Sequence, residues 1–180
     1  WNKHPKALPF LFFSEMWERF GYYLMIGIFT LYLKDVKTGY AMTEAESADL
    51  YGTFIALVFL TPFIGGLLAD RYLGYRRSVI MGGLMMGVGY CLMSVHNLPM
   101  LYLSMTLVIL GNGFFKPNIP TLLGNLYSTP EYVKRKDEGY NIFYMGINIG
   151  AFICNFISAA IIIVWGWKYA FVAAGIGMFV

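Results

Sequence analysis

Glu15, Glu18, Arg19 and Lys116 are the residues of this sequence best placed to do chemistry, because all four lie inside long apolar runs. An ionised side chain at the centre of a membrane helix costs about 2.5–3.5 kcal/mol on insertion scales. Two acids and two bases sum to zero, as mutual neutralisation requires. At 100° per residue, Glu15, Glu18, Arg19 and Tyr22 share an arc of about 100°, with Tyr23 at its flank. Such a stripe must face protein or water. Two readings stay open at this point. Glu15 and Arg19, four apart, could form a pair that only joins helices, with Lys116 serving Glu18, and Glu15 is close enough to the start of its run to snorkel. Alternatively, the four form a working site, since buried ion pairs rarely gain stability over apolar packing.

A second polar stripe follows from Tyr140, Tyr144, Asn148, Asn155 and Ser158, which fall on one face of a later run. Asparagine in hydrocarbon needs hydrogen-bond partners. Carboxylates, an ammonium, a guanidinium, phenols and amides together suit a solute that carries both charges and peptide-like groups: arginine binds a carboxylate bidentately, while Asn and Tyr bind amides and carbonyls.

The elements that must carry these groups are transmembrane helices. The chain has 180 residues, 58% hydrophobic and 13% charged, with mean hydropathy +0.60. Soluble domains average about 25% charged residues, and about 20 apolar residues span a bilayer core. The expected fold class is all-α, a polytopic helical bundle with helices at about 9–33, 50–69, 78–94, 100–126 and 140–165 and an incomplete one at 169–180. A start at Trp1 and a last run still apolar at Val180 suggest part of a longer protein, and no cleavable signal peptide is read. Gly83 with Gly87 and Gly146 with Gly150 make small-xxx-small steps that let helices approach. Pro117 and Pro120 should bend the fourth helix and free a carbonyl that needs a new partner.

Lysine and arginine counts orient the bundle. Lys3, Lys6, Arg71, Arg76, Arg77, Lys134, Arg135 and Lys136 fall on one side, against Lys34, Lys37 and Lys168 on the other. The basic side is expected to be cytoplasmic, with the N-terminus inside. The net charge of +3 is spread over loops, so no nucleic-acid partner is expected. Cys91 and Cys154 read as small packing residues. No H-E-x-x-H, G-x-S-x-G or G-x-x-x-x-G-K-[ST] occurs, which disfavours a metalloenzyme, a serine hydrolase and an ATP-driven pump. The expectation is therefore no enzyme, no catalytic residue, no metal and no cofactor.

Four motifs give a family resemblance. Gly66-Leu67-Leu68-Ala69-Asp70-Arg71-Tyr72-Leu73-Gly74-Tyr75-Arg76-Arg77 resembles the G-x-L-a-D-R-x-x-G-x-R/K signature of the major facilitator superfamily. Glu15-Met16-Trp17-Glu18-Arg19-Phe20-Gly21-Tyr22-Tyr23 is similar to the E-x-x-E-R-F-x-Y-Y motif of its proton-dependent oligopeptide transporter (POT) family. Phe143-Tyr144-Met145-Gly146-Ile147-Asn148-Ile149-Gly150 resembles that family's F-Y-x-x-I-N-x-G, and Gly111-Asn112-Gly113-Phe114-Phe115-Lys116-Pro117-Asn118 its fourth-helix lysine segment. The resemblance implies the N-terminal six-helix bundle of a multi-pass, proton-coupled symporter in the cell membrane. Such a symporter takes up di- and tripeptides by alternating access, with a C-terminal bundle of the same protein as partner and protons as coupling ion. It implies proton coupling at Glu15 and Glu18 and substrate binding at Arg19, Tyr22, Tyr23, Lys116, Tyr144 and Asn148. Asp70, Arg71, Arg76 and Arg77 would form a latch at the cytoplasmic helix ends. A related symporter for nitrate or another small anion is the alternative. Two departures stand out: the second-helix pocket tyrosine falls at Phe59, and the histidine of animal members falls at Gly52. His4 and His96, in terminal or loop positions, are poor replacements.

Overall fold

A computed structural model describes residues 3–179 and is helical throughout, with no strand among them. Trp1 and Val180, which mark the expected ends, lie outside the described residues. Helix α1 spans Leu8–Lys34, α2 Glu44–Leu68, α3 Tyr75–Met93, α4 Leu98–Phe115, α5 Asn118–Leu126, α6 Lys136–Trp165 and α7 Trp167–Gly177. Counting the turns that extend them, Glu44–Leu73, Leu98–Leu126 and Val133–Trp165 are long and apolar enough to cross a membrane. α1 matches them in length, but its charges and tyrosines dilute its apolar character, as glycines and Arg76 and Arg77 do in α3.

Three boundaries differ most from the sequence reading. α2 begins at Glu44, not Leu50. Thr43 caps it: its hydroxyl accepts from the Glu46 amide at 3.2 Å, while the Glu46 carboxylate accepts from the Thr43 amide at 2.9 Å. This reciprocal capping satisfies amides that a helix start otherwise leaves open, and Lys34 Nζ pairs with Glu44 at 2.8 Å. The fourth run divides at Lys116 and Pro117 into α4 and α5, because proline has no amide hydrogen and its ring crowds the carbonyl four residues back. Asn118 Nδ2 donates to the Phe114 carbonyl at 2.7 Å, satisfying one of the carbonyls at the end of α4. α6 begins at Lys136, a turn before Tyr140.

Glycines set the helix approaches. On α6, a side chain at Gly146 would meet Phe12, and one at Gly150 would meet the Met16 carbonyl and Arg19 Cβ, so α1 and α6 touch backbone to backbone beside the charges. Between α3 and α4 the backbone contact line is Gly82, Gly89 and Gly111, while Gly83 meets only the Phe115 side chain of α4 and Met178. Gly87 faces Gly175 of α7 and Phe179 just beyond that helix. Gly65 of α2 lies against Gly113 of α4, and Gly113 also against Thr61. The Thr61 hydroxyl is 2.9 Å from its own Leu57 carbonyl and 3.0 Å from the Ile109 carbonyl of α4. With lipid tails as apolar as leucine, such close packing is what associates membrane helices.

The two ends of the bundle are distinct. At one end Asp35, after α1, accepts from Trp167 Nε1 at 2.7 Å and from the Thr38 hydroxyl at 2.6 Å, while Tyr40 stacks on His96. At the other, His4 Nδ1 lies 2.7 Å from the Tyr127 hydroxyl. Both cysteines are free, and the buried Cys154 thiol donates to the Phe20 carbonyl at 3.2 Å.

Candidate functional site

Glu15, Glu18 and Arg19 are buried, at 5%, 1% and 8% exposure, so Glu15 does not snorkel. Their spacing on α1 brings both acids to one guanidinium: Arg19 Nε is 3.3 Å from Glu15 Oε1 and donates to Glu18 Oε2. Asn112, on α4, donates from Nδ2 to Glu18 Oε1 at 3.0 Å. Glu18 thus has a partner on each oxygen. Glu15 does not: its Oε2 is buried without a hydrogen-bond partner, as is Asn112 Oδ1. Buried polar atoms without partners are uncommon and mark positions where a proton, water or ligand is accommodated.

Lys116 sits at the break between α4 and α5, its amide bonded to the Asn112 carbonyl at 2.9 Å. Among the described residues no carboxylate lies within 4.0 Å of its ammonium, so the simple pairing of Lys116 with Glu18 is not formed. Two rings attend it instead, Phe59 with its centroid at 4.8 Å and Tyr22 at 5.7 Å. Arg19 Cζ is 5.0 Å from the same Tyr22 centroid. The two cations therefore converge on one ring from different helices. With both acids ionised, one guanidinium leaves that trio one charge negative, and Lys116 restores neutrality without direct contact with either carboxylate.

The remaining expected residues are placed less tightly. Tyr23 packs edge-on to Tyr22 at 5.4 Å. On α6, Tyr144 is half exposed beside Tyr140 and Phe143, and Asn148 is exposed with Nδ2 on the Tyr144 carbonyl at 3.1 Å. Neither hydrogen-bonds to the α1 charges among the described residues. Elsewhere on that stripe the Tyr140 hydroxyl donates to the Pro120 carbonyl at 3.0 Å, Ser158 is buried near the Asn155 carbonyl, and the Asn155 side chain is exposed. Gly52 opens onto space, with nothing within 4 Å of where a side chain would begin.

The loop motif is a turn device. Ala69–Leu73 form a π-helical turn closed by the Gly74 amide on the Ala69 carbonyl at 2.8 Å, and Gly74 has φ +75°, the left-handed region that favours glycine. Asp70, Arg71, Arg76 and Arg77 are exposed and form no ion pair among the described residues, so the expected latch is not closed.

Sequence reasoning missed Asn112 and the role of Phe59. The signal for Asn112 was present: an asparagine in an apolar run, one turn before Lys116, needs a partner. No group of three or more His, Cys, Asp or Glu able to hold a metal occurs among the described residues.

Comparison with known proteins places this geometry. The Major Facilitator Superfamily profile matches residues 16–180. The dipeptide and tripeptide permease A of Yersinia pestis is 38% identical over 180 residues, covering 99% of this chain and 35% of that protein. The Escherichia coli K12 protein of the same name is 37% identical, again over 99% of this chain and 35% of its own length. Among solved structures, a POT peptide transporter in complex with sulfate superposes with TM-score 0.91 at 37% identity, covering 98% of this chain and 36% of that one. A POT family transporter in complex with a thioalcohol-conjugated peptide gives 0.89 at 32%, with the same coverage. The chain thus spans about a third of the length of the relatives it matches.

Proposed function

Since the chain belongs to the Major Facilitator Superfamily and, within it, to the POT peptide transporters, we propose that it forms the N-terminal bundle of a proton-coupled symporter that takes up di- and tripeptides by alternating access. The observation that carries this reading is the meeting of Arg19 and Lys116 at the Tyr22 ring, with the ammonium unclaimed by any carboxylate within 4.0 Å among the described residues. A peptide's carboxylate can take the guanidinium's paired donors and the ammonium together. Tyr22, Tyr23, Tyr144 and Asn148 supply phenol and amide groups for the peptide body, and the amino end is left to the second bundle.

Glu15 and Glu18 compete with the substrate for Arg19. A proton on Glu15 removes the charge that holds Arg19 Nε at 3.3 Å and gives its unpartnered oxygen a hydrogen to donate. Arg19 then turns to the substrate carboxylate. Proton and peptide bind interdependently, which is what coupling requires. We place the protein in the cell membrane with its N-terminus in the cytoplasm, from the bias of basic loops. The π turn at Ala69–Leu73 sits on that side, where exposed Arg71, Arg76 and Arg77 are available for ion pairs that form in another conformation. Transport needs no metal or cofactor beyond the coupling proton, and no catalytic step.

The test is uptake of labelled dialanine by the full-length protein in proteoliposomes under an inward proton gradient. Accumulation that collapses with a protonophore and is competed by unlabelled dipeptides, and not by nitrate, is expected. Accumulation indifferent to the gradient, or competition by nitrate alone, contradicts the proposal.

A further inference from the structure

A lysine with four rotatable bonds and no carboxylate in direct contact is costly to hold in one place. Lys116 is nonetheless held. Its backbone is fixed at the α4–α5 break, one residue before Pro117. α2 is drawn against α4 at this level, where Gly113 admits both Gly65 and Thr61. That approach brings Phe59, two residues before Thr61, over the ammonium, with ring centroid 4.8 Å from Nζ. The Tyr22 ring of α1 stands at 5.7 Å. Both distances fall inside the range of about 6 Å over which a ring face attracts a cation.

We propose that Phe59 is a positioning residue for substrate recognition: its ring face, with that of Tyr22, holds the Lys116 ammonium in place of a carboxylate counter-ion, so that the site selects substrates ending in a free carboxylate. This rests on the peptide-transport reading above and deepens it. The chemistry favours a ring over an acid here. A carboxylate would hold the ammonium more strongly but would neutralise it, and the substrate would have to displace it. A ring quadrupole orients the cation without neutralising it, so its charge stays available to the ligand. Holding the side chain before binding lowers the ordering cost that binding must overcome.

The experiment compares binding of dialanine and of dialanine amide, which lacks the terminal charge, to the purified full-length protein and its Phe59→Leu, Phe59→Tyr, Lys116→Gln and Phe59→Leu/Lys116→Gln variants. Phe59 is 61% exposed, so Leu opens no core cavity, and a cooperative thermal unfolding transition reports that each variant is folded. Wild type is expected to prefer the free carboxylate. Phe59→Leu reduces that preference on the order of 10-fold, with amide affinity unchanged, and Phe59→Tyr restores it. In the Lys116→Gln background, Phe59→Leu has no further effect. If Phe59→Leu keeps the full preference while Lys116→Gln loses it, the positioning role is overturned and the peptide reading stands. If wild type binds dialanine and its amide alike, or neither, the peptide-carboxylate reading fails and the role of Phe59 with it.

Discussion

Two carboxylates on α1 and its exit show opposite uses of the same group. Asp35, just beyond the helix, is saturated. The Thr38 hydroxyl, the Lys37 amide and the Trp167 indole all donate to it, and they hold its pKa well below the usual carboxylate range, at about 2. It joins the α1–α2 loop to the start of α7 and acts as a fastener. Glu15, buried in mid-helix, has one contact with Arg19 and an oxygen with no partner. A saturated carboxylate has nothing left to exchange; an unsaturated one can take a proton, and its neighbouring cation can take another anion. Fixed donors build structure, and an open valence builds a binding site.

Four changes sharpen that contrast, from the largest effect to the smallest. Arg19→Ala strips both buried acids of their cation and removes the carboxylate's bidentate partner. Dipeptide binding should weaken by at least about 30-fold, read by equilibrium binding, and unchanged affinity would remove Arg19 from the site. Glu15→Gln should abolish proton-driven accumulation in vesicles while dialanine counterflow, which needs no gradient, persists; full accumulation would free Glu15 of coupling. Gly150→Val forces a side chain into the Met16 carbonyl and Arg19 Cβ, separating α6 from α1 at the site. About 1–3 kcal/mol of stability should be lost, with binding falling alongside, and thermal unfolding with and without dialanine reads both. Asp35→Asn, at the fastener, should lower the melting temperature at neutral pH and leave dialanine affinity unaltered. Since Asp35 titrates lower in the folded protein than in the unfolded chain, its stabilisation is complete above about pH 4 and is lost as pH falls towards 2. The melting temperatures of wild type and Asp35→Asn should therefore converge over that window, and a gap that persists at pH 2 would deny the fastener role.

Much of this was legible in the sequence, and for stated reasons. Charges inside apolar runs cost too much to be idle, so Glu15, Glu18, Arg19 and Lys116 could be singled out before any coordinates. Helical spacing placed three of them on one face, and the structure brings the fourth to the same ring. What escaped was of two kinds. Some signals were local and overlooked: the Thr43-x-x-Glu46 cap that starts α2 in a charged turn, and Asn112 one turn from Lys116. Others are tertiary and have no local signature. Gly82, not its neighbour Gly83, meets the α4 backbone, because rotation of α3 about its axis is set by all its contacts. Phe59 meets Lys116 only because Gly65, Thr61 and Gly113 let α2 and α4 close together. The polar stripe on α6 divides between bonds that hold helices and side chains left exposed, a division that periodicity alone does not reveal.

The most direct test of the open valence at Glu15 is the proton uptake that accompanies dialanine binding to the full-length protein, measured calorimetrically in buffers of different ionisation enthalpy. Uptake of protons by wild type on binding, absent in Glu15→Gln, is the expected result. Binding that takes up no proton in wild type, or the same uptake in both proteins, would contradict the linkage of proton and carboxylate at this site.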